Sequence, residues 1–432
     1  MLNSLTDGLI DAVLDSVVFN VGGIVSQGFD EISIDSDLLT PADGWSATVF
    51  NAPADSIPVT VKAGADITIS YLQQVILTGV IDVFDDSVSR DGTHTLINGR
   101  DLAGQLLDCS VDIFWGQSLT LEQIIGQCIK NAATDENGNS ITSGVANSAF
   151  PFVFKIAQSV YSGISTQKMA VEPGEAIWAA IQKAADAQGQ YVWFDPDGVL
   201  VMGNPIADEP QPQEQPVLRL MRDGSGGDPY VMFMGYREDV CDVFSEIHVL
   251  SQDNGTGHSF SAKRRNLLDS HRTLTDDRKA KFDGAASQLL ARRRLRILIN
   301  GQASTEAEVN AIADKVMHDA NLNAYTLTVE VKGWQCATGE IWRAGWVVTV
   351  QTDALRRVSN EPGYWVIFGR TLKMSRRGGL MTVLKLKRKQ DWMQPVKHVD
   401  VLHDAAYRAK RKAEAKARRQ ARNEAKLKES SQ

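Results

Sequence analysis

The sequence predicts an α+β fold with two small antiparallel β-barrel domains related by internal duplication, α+β domains between them, and a C-terminal basic helix. Two similar hairpins lead to this prediction. The turn SRRG at residues 375–378 separates WVIFGRTLKM from LMTVLKLK, and the turn SRDG at residues 89–92 separates GVIDVFDDSV from THTLINGRD. Apolar strands around a glycine-containing turn are typical of β-hairpins. Their recurrence indicates a duplicated unit, and three copies of such a chain could close a ring of six.

The first barrel is assigned to residues 17–108. Three segments before and beside its hairpin alternate apolar with polar residues: 29–34 (FDEISI), 45–50 (WSATVF) and 67–71 (ITISY). Such alternation is expected of strands with one buried face. We therefore expect a half-buried antiparallel sheet that the hairpin completes.

An α+β domain is predicted at residues 109–207. A helix is expected at 118–130, with Ser118 as its N-cap, and a second at 175–188, between an EPGE turn and a glycine. The turn DPDG at residues 195–198 then predicts a further hairpin. Residues 208–216, which are rich in proline, are predicted to be a linker across the surface.

The second barrel is predicted to use strands within residues 217–250 and the segment 325–395, separated by an α+β insertion at 251–324. The insertion should contain a helix at 306–320, started by a capping box of Thr305 and Glu308. The glycine-rich DGSGGD between the strands lacks the spacing of a dinucleotide-binding loop or P-loop, so we interpret it as a turn. Tryptophans at strand positions in this half should be core or interface residues.

Charge is distributed unevenly along the chain. The net charge is -8, but residues 403–432 carry +6 and the rest carries -14. The tail, residues 396–432, is predicted to be a basic helix that either solubilises the protein or contacts nucleic acid or an acidic partner. The candidate contacts in the tail are Arg408, Lys410, Arg411, Lys412, Lys416, Arg418, Arg419 and Arg422.

A second basic cluster precedes the strand-like sequence ILIN. It consists of Arg292, Arg293, Arg294 and Arg296. This cluster could bind phosphate, or it could place arginines on an edge strand or in a set of salt bridges between subunits. We favour the subunit-interface interpretation.

Composition excludes several classes of protein. The N-terminal leader, residues 1–16, has no lysine or arginine and carries Asp7, Asp11 and Asp15, which fits neither a secretory signal nor a membrane span. We expect the protein to start in the cytoplasm. The four cysteines are far apart, which argues against a disulfide framework or a zinc site and predicts reduced, mostly buried thiols. No metal and no cofactor is predicted.

Catalysis is not predicted. Neighbouring acids such as Asp85 and Asp86 are more often solvated turn residues than a glycosidase pair, which requires two acids facing one cleft. The sequence contains no HExxH and no GxSxG, and its seven histidines are scattered. We therefore name no catalytic, cofactor-binding or metal-binding residue.

Taken in order, several motifs resemble the baseplate hub proteins of Mu-like contractile-tailed phages. These motifs are VGG, LTGVID with INGRDLAGQLLDCS, EPGEAIWAAIQKAADAQGQYVWFDPDGVLVM, YTLTVEVKGW and IWRAGWVVTVQTD. The resemblance covers residues 19–392 and extends to the central hub of T-even phages and the hub half of type VI secretion spikes. It implies a homotrimer whose six barrels form a pseudo-sixfold ring, and it supplies no catalytic residues.

The predicted function is therefore structural: a hub in the virion tail baseplate that joins the tail tube protein to a separate trimeric spike protein. The resemblance also implies contacts with baseplate wedge proteins and a central path through which DNA passes without sequence-specific binding. A tail-associated peptidoglycan hydrolase is the alternative from another class. A headless injection or secretion particle could use the same hub, and neighbouring genes would distinguish it from a phage.

Overall fold

A computed structural model describes most of the chain between residues 17 and 389. The described residues are 17–22, 24–26, 29–38, 40–51, 61–129, 154–156, 167–186, 190–224, 226–239, 241, 243–251, 261–265, 295–300, 306–358 and 362–389. The leader at 1–16, the tail at 396–432, Thr305 and the arginines at 292–294 lie outside these ranges. The predictions made for them therefore stay predictions.

Strands dominate the N-terminal third. Its elements are β1 (Val17–Val21), β2 (Ile24–Ser26), β3 (Glu31–Asp37), β4 (Gly44–Phe50), β5 (Asp66–Tyr71), β6 (Gln74–Ser89), β7 (Gly92–Asp101) and the helix α1 (Ala103–Asp108). The alternation seen in the sequence is a burial pattern here, because residues such as Ile32 and Ile34 are buried while their neighbours along β3 are not. The predicted strands and hairpin of this region are confirmed.

The middle of the chain mixes short strands and helices. Its elements are β8 (Trp115–Leu119), α2 (Leu121–Ile129), β9 (Phe154–Ile156), β10 (Gln167–Ala170), α3 (Ile177–Asp186), β11 (Tyr191–Phe194), β12 (Leu200–Gly203) and α4 (Pro205–Asp208). The α2 and α3 helices pack into one apolar core with α1, and that core includes Ile124, Ile181 and Phe154. Both predicted helices are present.

The predicted N-cap of α2 is wrong by two residues. Thr120 accepts a hydrogen bond from the Gln123 backbone N–H at 3.2 Å, and its own N–H donates to the Gln123 side chain at 3.0 Å. This is a capping box. Ser118 is instead part of β8.

The C-terminal half returns to strands. Its elements are β13 (Val217–Arg219), β14 (Val231–Glu238), β15 (Glu246–Ser251), β16 (Ser261–Arg265), β17 (Leu295–Asn300), α5 (Glu306–Ala324), β18 (Tyr325–Lys332), β19 (Val347–Gln351), β20 (Gly363–Ser375) and β21 (Gly379–Arg388). The α5 helix continues past the predicted end at residue 320. Leu322 and Ala324 are still buried there, so a further turn of helix covers apolar surface.

One large sheet runs through both ends of the chain. Its strand order is β14-β18-β21-β20-β3-β4-β7-β6-β5-β1-β2, with β19 beside β20 and β13 beside β19. All pairs along this path are antiparallel, and β13 with β19 is parallel. The mostly antiparallel α+β class predicted from the sequence is confirmed.

Two apolar cores lie in this sheet on either side of the β3–β20 contact. The first contains Ile34, Trp45 and Ile69 from the N-terminal strands, and Trp334 and Leu372 from the C-terminal half also belong to it. The second contains Val329, Trp365 and other residues of the C-terminal half. β20 is long enough to contribute to both cores, since Trp365 and Ile367 enter the second and Leu372 and Met374 the first.

The predicted burial of the strand tryptophans is confirmed. Trp334, Trp342, Trp346 and Trp365 are all buried. Trp334 has no exposed surface, its ring centroid lies 5.0 Å from that of Tyr71, and its Nε1–H donates to the Lys373 carbonyl at 2.9 Å. It therefore links three segments that are distant in sequence.

The expectation that the cysteines are mostly buried is half wrong. Cys128 and Cys336 are buried, whereas Cys109 and Cys241 are exposed. Cys109 follows the last residue of α1, and its side chain is not needed to fill a core. No disulfide joins any of the four.

The predicted linker lies against the C-terminal half. The Trp346 indole donates to the Pro210 carbonyl at 2.9 Å, and the Gln211 side chain accepts from the Val347 N–H at 3.0 Å. Asn204 caps the short α4 by accepting from the Ile206 N–H. The segment thus crosses the surface through specific hydrogen bonds.

Replacing Trp334 with alanine should lower the free energy of unfolding by about 3–5 kcal/mol, because a large buried ring is lost and a cavity remains. Urea denaturation followed by circular dichroism measures this change. Ile113→Ala, at a side chain that is 74% exposed, is the control. A Trp334→Ala loss no larger than the control's would contradict the central packing role of Trp334.

Candidate assembly interface

The β3–β20 contact is the junction at which the N-terminal and C-terminal halves meet. Seven residues of each strand pair, from Glu31 opposite Ser375 to Asp37 opposite Gly369. On one face, Ile32 lies opposite Met374, and Ile34 lies opposite Leu372. All four of these side chains are buried in the first core. The junction is therefore closed by apolar burial on that face.

Polar pairs occupy the other face and the ends of the junction. The Thr371 hydroxyl donates to the Asp35 carboxylate at 2.6 Å, and the Lys385 ammonium lies 3.4 Å from the Asp37 carboxylate. At the far end, the Arg376 guanidinium pairs with the buried Asp30, whose carboxylate also accepts from the Phe50 N–H. These contacts fix one register, because a slip of one residue would exchange the two faces.

One of the paired residues of this junction is a buried arginine. Arg370 of β20 donates to the Trp342 carbonyl, and its other terminal nitrogen lies 3.5 Å from the Ile76 carbonyl. Burial lowers the pKa of Arg370 to about 10, while the nearby Asp43 opposes that shift by favouring the charged guanidinium. Arg370 thus joins backbone groups from both halves.

Two carboxyl groups share this buried region. Burial raises the pKa of Asp43 to about 6, and burial together with the charge of Asp43 raises the pKa of Asp101 well above its usual value. Asp43 accepts from the Asp37 N–H at 3.3 Å, and Asp101 accepts from the Ala103 N–H at the start of α1. These hydrogen bonds tie the carboxyls to the backbone of the junction and of the middle domain.

The cavity beside Arg370 is too small for a substrate. Asp43, Asp101, Glu209 and Arg343 are among its lining residues, and its volume is about 50 Å³. Ligand-binding pockets usually measure about 300–1,000 Å³, whereas this volume suits a few waters. The cluster is therefore interpreted as the structural contact of three parts of the chain.

Among the strand edges that lack a partner strand within the described residues, two lie at β14 and at the outer half of β6. β14 pairs only with β18. The pairing of β5 with β6 ends at Val80, so the outer half of β6, residues 83–89, pairs only with β7. Apolar side chains are exposed on both, including Val88 at 82% and Phe233 at 48%. Unprotected apolar edges are typical of interaction surfaces. Neither edge was predicted from the sequence to be an interaction surface.

Of the predicted basic interface cluster, only Arg296 lies within the described residues. It is exposed on β17, the edge strand of a three-stranded sheet in which β15 also pairs with β16. Its guanidinium lies 5.2 Å from the centre of the Phe244 ring. Ile297 and Ile299 beside it are exposed. The interface role of the four arginines stays a prediction.

The described residues contain no group of three or more histidine, cysteine, aspartate or glutamate side chains arranged to hold a metal ion. In the same part of the chain, none of the helices has the length and apolar character needed to cross a membrane.

Three family models match successive parts of the chain. Residues 16–101 match the N-terminal domain of the Mu phage baseplate assembly protein GpP-like family, and residues 128–204 match the second domain of the baseplate hub protein gp44-like family. Residues 319–390 match the C-terminal domain of a tail protein family. The baseplate hub protein gp44 of Escherichia phage Mu is 21% identical over 388 residues, which cover 88% of this chain and 90% of that protein.

The chain is similar to the Mu-like baseplate hub proteins along most of its length. The resemblance inferred from the motifs is confirmed, and the protein is a component of a phage tail baseplate. Two solved structures share the fold of this hub protein. The tail protein of Neisseria meningitidis MC58 has a TM-score of 0.63 and 23% identity, and the match covers 87% of this chain and 97% of that one. The 43 kDa tail protein of Shewanella oneidensis prophage MuSo2 has a TM-score of 0.61 and 18% identity, covering 87% and 99%.

The matches assign the central junction of this hub protein to two different family domains. The N-terminal match contains β3, and the C-terminal match contains β20, so the pairing of Glu31–Asp37 with Gly369–Ser375 joins them. The sheet of β15, β16 and β17, with Arg296, falls between the matched segments.

The buried Asp43 should make the stability of the hub protein depend on pH. Because folding raises the pKa of this acid, its contribution is favourable at low pH and is lost as the pH rises from about 4 through about 6. The loss should approach about 3 kcal/mol. The free energy of unfolding of Asp43→Asn minus that of the wild type should therefore increase between pH 4 and pH 7.

Urea denaturation at a series of pH values tests this expectation, with Asp66→Asn, at an exposed carboxyl of the same sheet, as the control. A difference between Asp43→Asn and the wild type that stays constant across this range would contradict it.

Proposed function

We propose that this protein is the central hub of a contractile phage tail baseplate. Three copies form a pseudo-sixfold ring that joins the sixfold tail tube to a trimeric cell-puncturing spike and surrounds the DNA path. The observation that carries the proposal is a repeated strand order within each chain. Two such units per chain and three chains give six similar units around one axis.

The two units share both sequence order and pairing order. In the first, strands β3 to β7 pair in the order β5-β6-β7-β4-β3. In the second, β14, β18, β19, β20 and β21 come in this order along the chain, with β15 to β17 and α5 inserted after β14, and they pair in the order β19-β20-β21-β18-β14. Each strand of the second unit thus occupies the place of its counterpart in the first. This correspondence supports the internal duplication proposed from the hairpins.

A shared irregularity supports the same equivalence. The β6–β7 pairing has a bulge at Asp82, and the β20–β21 pairing has a bulge at Phe368. Each bulge lies seven residues before the serine that opens the hairpin turn, Ser89 in the first unit and Ser375 in the second. Bulges fix the local bend and twist of a sheet, so the two hairpins share their curvature. Each unit also forms most of one apolar core, although β20 contributes to both cores.

The proposed parts have separate roles. The barrels at residues 17–108 and at 217–250 with 325–395 form the ring, and the α+β domains at 109–207 and 251–324 meet neighbouring baseplate components. The partners are the tail tube protein, the spike protein and the wedge proteins, and assembly takes place in the host cytoplasm. The acidic body suits a passage for DNA because it repels phosphate.

The two basic clusters supply contacts between components. Arg296, with Arg292, Arg293 and Arg294, contributes to a subunit interface, and the exposed edge strand that carries Arg296 supports this role. The basic residues of the tail, from Arg408 to Arg422, contact DNA or an acidic partner. The protein acts as a rigid adaptor and not as an enzyme, a role supported by its similarity to baseplate hub and tail proteins.

Electron microscopy of the purified full-length protein tests the ring. We expect class averages with threefold symmetry, six similar lobes and an open centre, and a mass in solution of three chains. A compact monomer at every concentration tested would contradict the ring. Release of soluble fragments from purified peptidoglycan by the protein would favour the hydrolase alternative instead.

Deleting residues 407–432 should leave the fold intact but reduce the yield of infectious particles, because the deletion removes most of the basic charge of the tail. Circular dichroism checks the fold, and plaque assays after complementation of a hub-deficient phage measure function. Replacing the eight basic candidates of the tail with glutamine is a matched variant that keeps the length of the chain. A normal particle yield from both variants would contradict a role in assembly or DNA handling.

A further inference from the structure

We propose that β14 of one subunit pairs antiparallel with the outer half of β6 in a second copy of the chain. The register would be the one in which β3 pairs with β20 inside each chain. This inference rests on the trimeric ring proposed above and identifies the strand edges that close it. The strand that pairs with each edge therefore comes from another copy of the same chain.

The open edges of β14 and of the outer half of β6 correspond to the two strands of the internal junction. In the repeated strand order, β14 takes the place of β3, and β6 takes the place of β20. β3 pairs with β20 within the chain, whereas no described strand pairs with the equivalent edges of β14 and β6. A ring of equivalent units requires every unit to use the same two edges.

Two rows of directly opposed residues fix the register. They are Ser33–Ser46–Asn98–Val83 across β3, β4, β7 and β6, and Gly235–Thr328–Lys385–Gly369 across β14, β18, β21 and β20. Ser33 is therefore equivalent to Gly235, and Val83 is equivalent to Gly369. Every pair of the internal junction can then be mapped onto a pair between subunits.

The polar pair of the junction maps onto two opposite charges. Inside the chain, Thr371 lies two residues after Gly369 and pairs with Asp35, which lies two residues after Ser33. The equivalent residues are Asp85, two after Val83, and Arg237, two after Gly235. Both are exposed. A cross-strand ion pair between subunits would replace the hydrogen bond between Thr371 and Asp35.

The apolar pair of the junction maps onto an exposed valine. Ile32 and Met374 lie opposite each other in the first core, and their equivalents are Met234 and Val88. Met234 belongs to the second core, while Val88 is 82% exposed in the single chain and Met374 only 2%. The proposed pairing would place Val88 of one subunit over the second core of its neighbour, as Met374 covers the first core.

Two further inward pairs remain, and the first of them, Ser36 with Arg370, maps onto Glu238 with Phe84. Ile34 and Leu372 map onto Tyr236 and Asp86. The Tyr236 hydroxyl accepts a hydrogen bond from Arg388 at 3.1 Å, and the register would place Tyr236 opposite Asp86 of the neighbour. Asp86 already accepts from the Thr95 hydroxyl at 2.8 Å and has further lone pairs.

A charge exchange tests the ion pair. Asp85→Arg and Arg237→Asp should each weaken trimer formation at least about tenfold, because like charges would then lie opposite each other. The double variant Asp85→Arg, Arg237→Asp should recover most of the loss. The readout is the trimer fraction against protein concentration, measured by sedimentation velocity. Asp66→Arg makes the same charge change at another exposed position of the sheet and should have no such effect.

A cysteine pair tests the register directly. In a background of Cys109→Ser and Cys241→Ser, Asp85→Cys combined with Arg237→Cys should give a covalent trimer after mild oxidation. Opposed residues in an antiparallel pair have Cα atoms about 4.5–5.5 Å apart, which a disulfide can span. Val88→Cys with Arg237→Cys, which the register separates by three positions along the strand, is the mismatched control.

The outcomes separate this inference from the proposed ring. A covalent trimer from the matched pair, but not from the mismatched pair, supports the junction. The junction is contradicted if the trimer forms normally, the matched cysteine pair gives no cross-link, and both single charge reversals are tolerated. In that case the proposed ring is still supported. Absence of any trimer from the wild-type protein overturns both. Circular dichroism of each variant checks that the monomer is folded.

Discussion

The antiparallel pairing of β3 with β20 is the contact on which the rest of this structure depends. It joins strands that lie more than 300 residues apart, as the Asp35–Thr371 hydrogen bond shows with a separation of 336 positions. Without it, the large sheet would divide into an N-terminal and a C-terminal part. The first core would also lose Leu372 and Met374, which β20 contributes. Both the sheet and its packing therefore require the same seven paired residues.

The polar groups beside this junction follow from its position. Buried carbonyl groups need hydrogen-bond donors, and Arg370 donates to the carbonyl group of Trp342 and lies within 3.5 Å of that of Ile76. A buried guanidinium is stabilised by a negative charge nearby. Asp43 provides that charge for Arg370, although burial raises the pKa of the Asp43 carboxyl. The buried charges thus fix the arrangement of three segments more than they add to stability.

The same junction gives a physical reason for the proposed symmetry. A strand pairing is transferable because its backbone hydrogen bonds do not depend on the identity of the side chains. An edge that works between two units of one chain can therefore work between chains, provided that the side chains on both faces are compatible. Asp85 with Arg237, and Val88 with Met234, meet this condition. The edges would then be covered in the assembly, which protects them from non-specific pairing.

The sequence by itself determined the local structure and the family of this protein. Alternating residues located β3, β4 and both hairpins, and apolar spacing located α2, α3 and α5. The strand positions of the tryptophans predicted that they pack in a core or interface, and the order of motifs indicated a Mu-like baseplate hub. Local signals also misplaced the cap of α2, because Ser118 and Thr120 are both good caps and only the end of β8 decides between them.

Only the tertiary structure decided which strands pair and which edges remain open. Alternation shows which face of a strand is buried, but backbone hydrogen bonds have no signature in the side chains, so the partner of β3 could not be inferred. The burial of Arg370 with Asp43, and the exposure of Val88, depend on this pairing. For the same reason, the equivalence of β14 with β3 emerges from the strand order and not from any similarity between their sequences.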